Sequence, residues 1–167
     1  GYLGVAWRLG LLLAQMDHNP PSACRLSYRG EVANKDTRLL SAAFAAGLLE
    51  HAMEEEVNIV NAGVLLRERG IELSEERNSE IGDFGSLLTA EVASEKKTFV
   101  ASGTIFGNNM PRLVRLEDCT LESVLDGILM IFLHGDRPGV IGRVGKVFGE
   151  HKVNIAQMSV GRGSDRP

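Results

Sequence analysis

The feature that most constrains the fold is a strand–helix–strand pattern in residues 128–161. Residues 128–133 form a near-continuous apolar run, as expected for a strand that is covered on at least one face. Apolar residues then recur at helical spacing through residues 140–148, and residues 153–160 predict a second strand. Because a helix joins the two strands, they are predicted to lie parallel. One such unit is a supersecondary motif, so this segment is predicted to be part of a larger module.

The residues upstream predict helices followed by strands. Helical periodicity predicts helices over residues 4–17, 37–50 and 55–70, and Gly70 is predicted to close the last of them. Strands are predicted over residues 23–29, 71–77, 86–94, 97–106 and 112–116, with a hairpin at 94–97. Small residues from Ala42 to Gly47 are expected to let another element approach closely. This order indicates an α+β fold, with helices packed on a mixed or antiparallel sheet.

Composition argues against several classes of function. The formal net charge of -4 disfavours nucleic-acid binding, which needs a basic surface. Cys24 and Cys119 lie far apart without metal-ligand spacing, so buried free thiols in a reducing, cytoplasmic compartment are expected. No apolar run is long enough to span a membrane. The acidic pair Glu75 and Glu76 is typical of a solvated surface.

No catalytic motif occurs in this sequence. Gly139, Gly142 and Gly145 are spaced three apart, so they line one helix face and do not form the turn that receives a dinucleotide pyrophosphate. We therefore predict no catalytic residue, no cofactor and no metal site within this chain.

The turn at residues 134–139 is the candidate binding site. Asp136 can cap the following helix, whose N-terminal N–H groups suit an anion such as an α-carboxylate. His134 and Asp136 end the first predicted strand and Asn154 opens the second, and these three side chains are predicted to converge on an amino acid. The alternative is that Asp136 is only an N-cap and Asn154 only a turn residue. Spacing does not decide between the two.

These residues resemble a known family. The segment HGDRPGVIG followed by VNI resembles the opening half of an ACT domain, a small amino-acid-sensing module. Together with YRGEVA, VNIVNAGVLLRERGIEL, ASGTIFGNNMPRLVRL and VNIAQMSVGR, it resembles the C-terminal regulatory region of long-form D-3-phosphoglycerate dehydrogenases. The resemblance implies a linking helix from an upstream substrate-binding domain (residues 1–20) and an intervening, allosteric substrate-binding domain (21–126). A truncated ACT domain (127–167) would follow, as the first βαβ of a ferredoxin-like βαββαβ fold.

The resemblance also implies ligands. His134, Asp136 and Asn154 match positions where this family binds its feedback inhibitor L-serine, in a pocket between two ACT domains. A homo-oligomer, either a dimer or a tetramer, is therefore expected. Arg112 matches a basic position that binds a phosphate-bearing substrate or another anion, and Arg115 is a nearby substitute.

The resemblance finally implies a role within a larger enzyme. Upstream domains of such a dehydrogenase bind NAD and oxidise 3-phosphoglycerate in L-serine biosynthesis, and serine binding would favour a less active arrangement of them. Two alternatives stay open. One is the regulatory domain of an iron–sulphur L-serine dehydratase, whose catalytic part would need clustered cysteines. The other is a purely structural dimerisation module without a ligand.

Overall fold

A computed structural model describes residues 1–163 and contains helices on a six-stranded mixed sheet. The helices are α1 (Tyr2–Met16), α2 (Arg38–Leu49), α3 (Ala62–Glu68) and α4 (Val140–Glu150), with a 3-10 helix at Glu31–Asn34. The strands are β1 (Ala23–Gly30), β2 (Glu72–Asn78), β3 (Ser86–Ala93), β4 (Thr98–Phe106), β5 (Met110–Leu116) and β6 (Cys119–Val124). Their order in the sheet is β2-β1-β3-β4-β5-β6; β1 and β2 are parallel, and all other neighbours are antiparallel.

One face of the sheet carries the core. Successive side chains of a strand point to opposite faces, and in β3 the residues Leu88, Ala90 and Val92 are buried while their neighbours are half-buried. Helix α1 packs on this face against β3 and β4. The predicted α+β class, with helices on a mixed sheet, is confirmed.

Helices α1 and α2 cross with their backbones in direct contact. A Cβ atom at Gly10 would lie 2.2 Å from the carbonyl oxygen of Phe44, and one at Gly47 would lie 2.0 Å from that of Trp7. Neither position can hold a side chain without moving a helix, because interhelical distance depends on the side chains at the contact. The predicted close approach at the small residues of α2 is confirmed, and α1 shares the core of the sheet.

Helix α3 ends as predicted but begins later. Gly70, at φ 71°, donates to the carbonyl of Arg67, and Ile71 donates to that of Leu66, which is a Schellman closure. The predicted start at residue 55 is wrong, because Asn61 accepts a hydrogen bond from the Asn58 backbone at 2.8 Å. Such local side-chain bonds compete with helix formation.

Strand β6 was not predicted. It pairs with β5 through a two-residue turn in which Glu117 takes a φ of 54°. A left-handed glutamate is uncommon, and the turn contains neither glycine nor asparagine to announce it. The β3–β4 hairpin, in contrast, is where the sequence predicts it, with Ser94 N–H donating to the carbonyl of Lys97 at 2.8 Å.

The C-terminal segment contains the predicted helix, α4, but the two predicted strands beside it are wrong for this structure. Residues 128–133 and 153–160 are not assigned as strands. Strands require a ladder of hydrogen bonds to a neighbour, and in a split βαβ unit another strand of the module separates the two parallel ones. Ile128 is accordingly 100% exposed and Leu133 88% exposed. The last part of the predicted ACT domain, residues 164–167, lies outside the described residues.

Candidate functional site

Gly139 organises the turn before α4. It is the N-cap of the helix, with a left-handed φ of 88° that glycine adopts without steric cost. The prediction that Asp136 caps the helix is wrong, because the turn at Pro138 and Gly139 keeps Asp136 upstream of the first helical residue. No side chain of the described residues bonds to the cap, so the first-turn N–H groups have no capping side chain.

His134 is an exposed side chain in this turn. Its Nδ1 atom lies 2.9 Å from the carbonyl oxygen of Gly135. Because a carbonyl only accepts, the neutral ring carries its proton on Nδ1 and leaves Nε2 as an acceptor. Nε2 is thus suited to an ammonium or hydroxyl group of a ligand. Asp136, also exposed, supplies a carboxylate two residues further on.

Asn154 follows the C-terminal closure of α4. The N–H of Lys152 donates to the carbonyl of Gly149 at 3.0 Å, and that of Val153 to the carbonyl of Phe148 at 2.9 Å. This is a second Schellman closure, in which Lys152 takes the left-handed φ of 56°. Asn154 leaves the closure with an exposed side chain.

Helix α4 lies between the two groups of predicted effector residues. It has 11 residues and, at about 1.5 Å per residue, is about 16 Å long. His134 and Asp136 precede its N-terminal end, whereas Asn154 follows its C-terminal end. The three side chains were predicted to converge at one end of a helix. Within one chain, α4 instead separates Asn154 from His134 and Asp136. The predicted effector residues thus lie beyond opposite ends of α4.

Arg112 is the other predicted site residue. The guanidinium lies over the ring of Phe106, 5.8 Å from its centroid, and its side chain is only 16% exposed. Nη1 donates to the carbonyl of Pro111 at 3.2 Å, while Nε is buried without a hydrogen-bond partner among residues 1–163. The nearest carboxylate oxygen, on Glu122, is 3.9 Å from Nε. A buried N–H of this kind is suited to an oxygen of an anion.

Arg115 has a different environment from Arg112. Its Nε donates to the carbonyl of Glu117 at 2.7 Å, which bonds it within the β5–β6 turn. The residue is exposed. Arg115 therefore contributes positive charge to this end of the sheet but no buried donor.

Sequence reasoning missed a group of buried hydroxyls around Glu75. Glu75 accepts hydrogen bonds from Thr37 at 2.9 Å, Ser41 at 2.5 Å and Arg77 at 3.1 Å. The Tyr28 hydroxyl lies 2.7 Å from that of Ser41. Burial raises the pKa of Glu75, but these hydrogen bonds outweigh it and hold that pKa below its usual value. The group joins the start of α2 to strands β1 and β2.

Glu75 was expected to be solvated because it is adjacent to a second glutamate. The available signal was the spacing of Thr37 and Ser41, which lie four residues apart and so share a helix face. The partner of that face, β2, comes more than thirty positions later in the chain, and sequence spacing alone does not identify it.

A cleft of about 280 Å³ lies where α1 and α2 end beside the β3–β4 hairpin. Asp17 lines it and accepts hydrogen bonds from the backbone and side chain of Asn19 and from Ser94, at 2.9, 2.7 and 2.7 Å. The Asn19 backbone bond, followed by the Ser94 bond, lowers the pKa of Asp17 to about 2. Asp17 thus ties the end of α1 to the hairpin.

Neither thiol forms a disulfide. Cys24 is buried, and burial raises its pKa to about 12, so it stays protonated. Cys119 is only half-buried, which differs from the expected burial. Within residues 1–163, no three His, Cys, Asp or Glu side chains are grouped to hold a metal ion. No helix of that range has the length and apolar character to cross a membrane.

These elements define an α+β domain, a helix-covered mixed sheet, followed by a turn–helix segment with exposed polar residues. The chain belongs to the D-3-phosphoglycerate dehydrogenase intervening domain family, whose model matches residues 1–117. The ACT domain model matches residues 127–166. The resemblance stated from the sequence is confirmed.

Three relatives named D-3-phosphoglycerate dehydrogenase illustrate this similarity. The protein of Archaeoglobus fulgidus is 34% identical over 99% of this chain, that of Bacillus subtilis 32% over 96%, and that of Methanocaldococcus jannaschii 35% over 96%. The matched region is 31%, 31% and 30% of the length of those relatives. The chain therefore corresponds to under a third of each relative.

Proposed function

We propose that this chain is the regulatory region of a D-3-phosphoglycerate dehydrogenase and that its ACT unit senses L-serine. The observation that carries the proposal is the tandem match to the intervening domain and the ACT domain, in that order. The exposed acceptor on His134, the carboxylate of Asp136 and the amide of Asn154 are the groups that a zwitterionic amino acid with a hydroxyl requires.

The effector site is proposed to form between two copies of the chain. Helix α4, about 16 Å long, separates Asn154 from His134 and Asp136 within one copy. An antiparallel arrangement of two α4 helices would bring the Asn154 end of one beside the His134 end of the other. A homodimer then has two equivalent sites, as two-fold symmetry requires.

Arg112 is proposed as an anion-binding residue of the intervening domain. Its support is the buried Nε that lacks a hydrogen-bond partner in the described chain. Arg115 adds positive charge further along the same strand, beside the β5–β6 turn. The anion expected there is a phosphate or carboxylate, since a guanidinium matches both geometrically.

The whole protein is proposed to oxidise 3-phosphoglycerate with NAD in the cytoplasm, in domains other than those of this chain. Gly139, Gly142 and Gly145 lie at the cap of α4 or along it, so they do not form the turn that receives a dinucleotide pyrophosphate. The role of this region is thus regulatory: serine bridging two ACT units favours one arrangement of the subunits, and substrate binding must in turn change serine affinity.

Thermal unfolding of the full chain with L-serine, and with D-serine as control, tests the effector. A ligand at ten times its Kd stabilises by about 1.4 kcal/mol, which corresponds to about 3–5 °C. We expect L-serine alone to raise Tm, Asn154→Ala to abolish the rise, and the matched variant Asn108→Ala, at another exposed asparagine, to retain it. Equal shifts with both enantiomers contradict the proposal.

Mixing two inactive variants tests the location of the site. Asp136→Ala and Asn154→Ala each remove one half of every site in their own homodimer. In a mixed dimer, one of the two sites receives both native residues, so a 1:1 mixture should regain part of the L-serine shift. A site built within one copy would give no recovery on mixing.

A further inference from the structure

The outer edge of β6 is not an open strand edge. Backbone groups of β6 that do not face β5 are met by the segment after α4: the N–H of Val124 donates to Oε1 of Gln157 at 3.0 Å, and the carbonyl of Thr120 accepts from the N–H of Arg162 at 3.4 Å. Thr120 and Arg162 form an isolated antiparallel bridge. We refer to residues 157–163 as the strap.

The strap approaches β6 as a strand does. From residue 159 to 163 its exposure alternates, with Ser159, Gly161 and Gly163 half-buried and Val160 and Arg162 exposed. Period-two burial is typical of one strand face against a surface. The half-buried residues are therefore those that face the sheet.

The two strap residues closest to β6 are glycines. A Cβ atom at Gly161 would lie 3.2 Å from the carbonyl oxygen of Thr120 and 3.3 Å from the Cβ of Cys119. A Cβ atom at Gly163 would lie 3.0 Å from a carboxylate oxygen of Asp118. Glycine within an extended segment often marks such close approach of another backbone.

We propose that the outer edge of β6 is the docking surface of the ACT unit, and that the strap occupies it as an incipient seventh strand. Docking ties the ACT unit to the intervening sheet. Asn154 lies three residues before Gln157, and Val124 is the ladder partner of Arg112. The strap thus connects the ACT unit, which carries Asn154, to the intervening sheet, which carries Arg112. This proposal does not depend on serine being the effector.

Disulfide trapping in the full chain tests the docking. Disulfides need Cβ atoms about 3.5–4.5 Å apart, and a Cβ atom at Gly161 would lie 3.3 Å from that of the native Cys119, so a shift of a few tenths of an ångström gives the required separation. Gly161→Cys is expected to form an intramolecular bond with Cys119 under oxidised glutathione, detected by peptide mass mapping. The control is Gly149→Cys, at the end of α4, where an added Cβ would meet nothing within 4 Å. Cross-linking no faster at position 161 than at position 149 overturns the proposal.

Amide hydrogen exchange tests the same contact without a cysteine. Gln157→Leu removes the acceptor of the Val124 N–H and should speed its exchange about fivefold, whereas Gln157→Glu keeps an acceptor oxygen and should preserve protection. The Leu125 amide is the internal control, because it donates to Pro111 on the β5 side at 3.1 Å. Unchanged exchange at Val124 in Gln157→Leu, or equal acceleration at Val124 and Leu125, overturns the proposal.

Discussion

Helices α2 and α4 have nearly equal length and opposite environments. Nine of the 12 residues of α2 are buried, whereas none of the 11 residues of α4 is. The apolar and polar faces of α4 are nevertheless the more sharply separated of the two. An amphipathic pattern thus predicts that a helix forms, but burial depends on what its neighbours supply. Helix α2 is covered by α1, which packs directly against it, whereas the apolar side of α4 stays largely uncovered within residues 1–163.

The largest expected difference between the two helices comes from adding one methyl group to a glycine of each. Gly47→Ala places a Cβ atom 2.0 Å from the Trp7 carbonyl and should separate α1 from α2. We expect a loss of about 3 kcal/mol in the free energy of unfolding, at the upper end of overpacking costs. Urea denaturation measures it.

Gly142→Ala is the matched change in α4, where an added Cβ meets nothing within 4 Å. Alanine favours helix over glycine by about 1 kcal/mol, so this variant should be unchanged or more stable. If Gly142→Ala destabilised as much as Gly47→Ala, the contrast between the helices would fail, and the partner α4 of the proposed homodimer would have to contact Gly142 itself.

A smaller loss in the free energy of unfolding is expected from removing one of the buried hydroxyls around Glu75. Ser41→Ala leaves the buried Tyr28 hydroxyl and a carboxylate oxygen of Glu75 without this partner, which should cost about 1–3 kcal/mol. Asn154→Ala, an exposed position of the C-terminal unit, should change the free energy of unfolding by less than about 0.5 kcal/mol. Equal effects from the two variants would show that this polar group adds no stability.

The smallest expected effect is a change in how the free energy of unfolding depends on pH when Asp17 is replaced. The folded-state pKa of Asp17 is about 2, below its ordinary value of 3.8, so its contribution is full above pH 3.8. As pH falls towards 2, the unfolded state binds the proton more readily and the contribution is lost. Asp17→Asn should flatten the dependence of unfolding free energy on pH between 4 and 2, without altering its slope above pH 5.

The sequence predicts those features of the fold whose signals lie in a few adjacent residues. Gly70 predicts the end of α3, and residues 94–97 predict a hairpin, because both features depend on the backbone conformation of a few adjacent residues. Strand β6 lacked such a signal, since its turn uses Glu117 in a left-handed conformation. Asp118 is the one common turn residue there, and without a glycine at the left-handed position it does not predict a hairpin.

The residues of the candidate site stay a prediction, and their arrangement along the chain was not predictable from the sequence. His134, Asp136 and Asn154 stand out by chemistry, but the length of α4 places them apart within one chain. Glu75 was misread for the related reason that its partners, Thr37 and Ser41, lie on a different element. Hydrophobic periodicity predicts single helices and strands. It does not predict contacts between two elements, such as those between α2 and β2 at Glu75.

The placement of α1 has a consequence for the order in which this fold can assemble. Helix α1 precedes every strand in the chain, yet Gly103 in β4 is so close to it that an added Cβ would lie 2.7 Å from a methyl carbon of Val5. Its docking site on the sheet therefore does not exist until β3 and β4 have been synthesised and paired. During translation α1 can pack on α2 first, but the side of α1 that contacts the sheet stays uncovered until then, and contacts so distant in sequence slow folding. Chaperone dependence and aggregation during synthesis should accordingly centre on this helix.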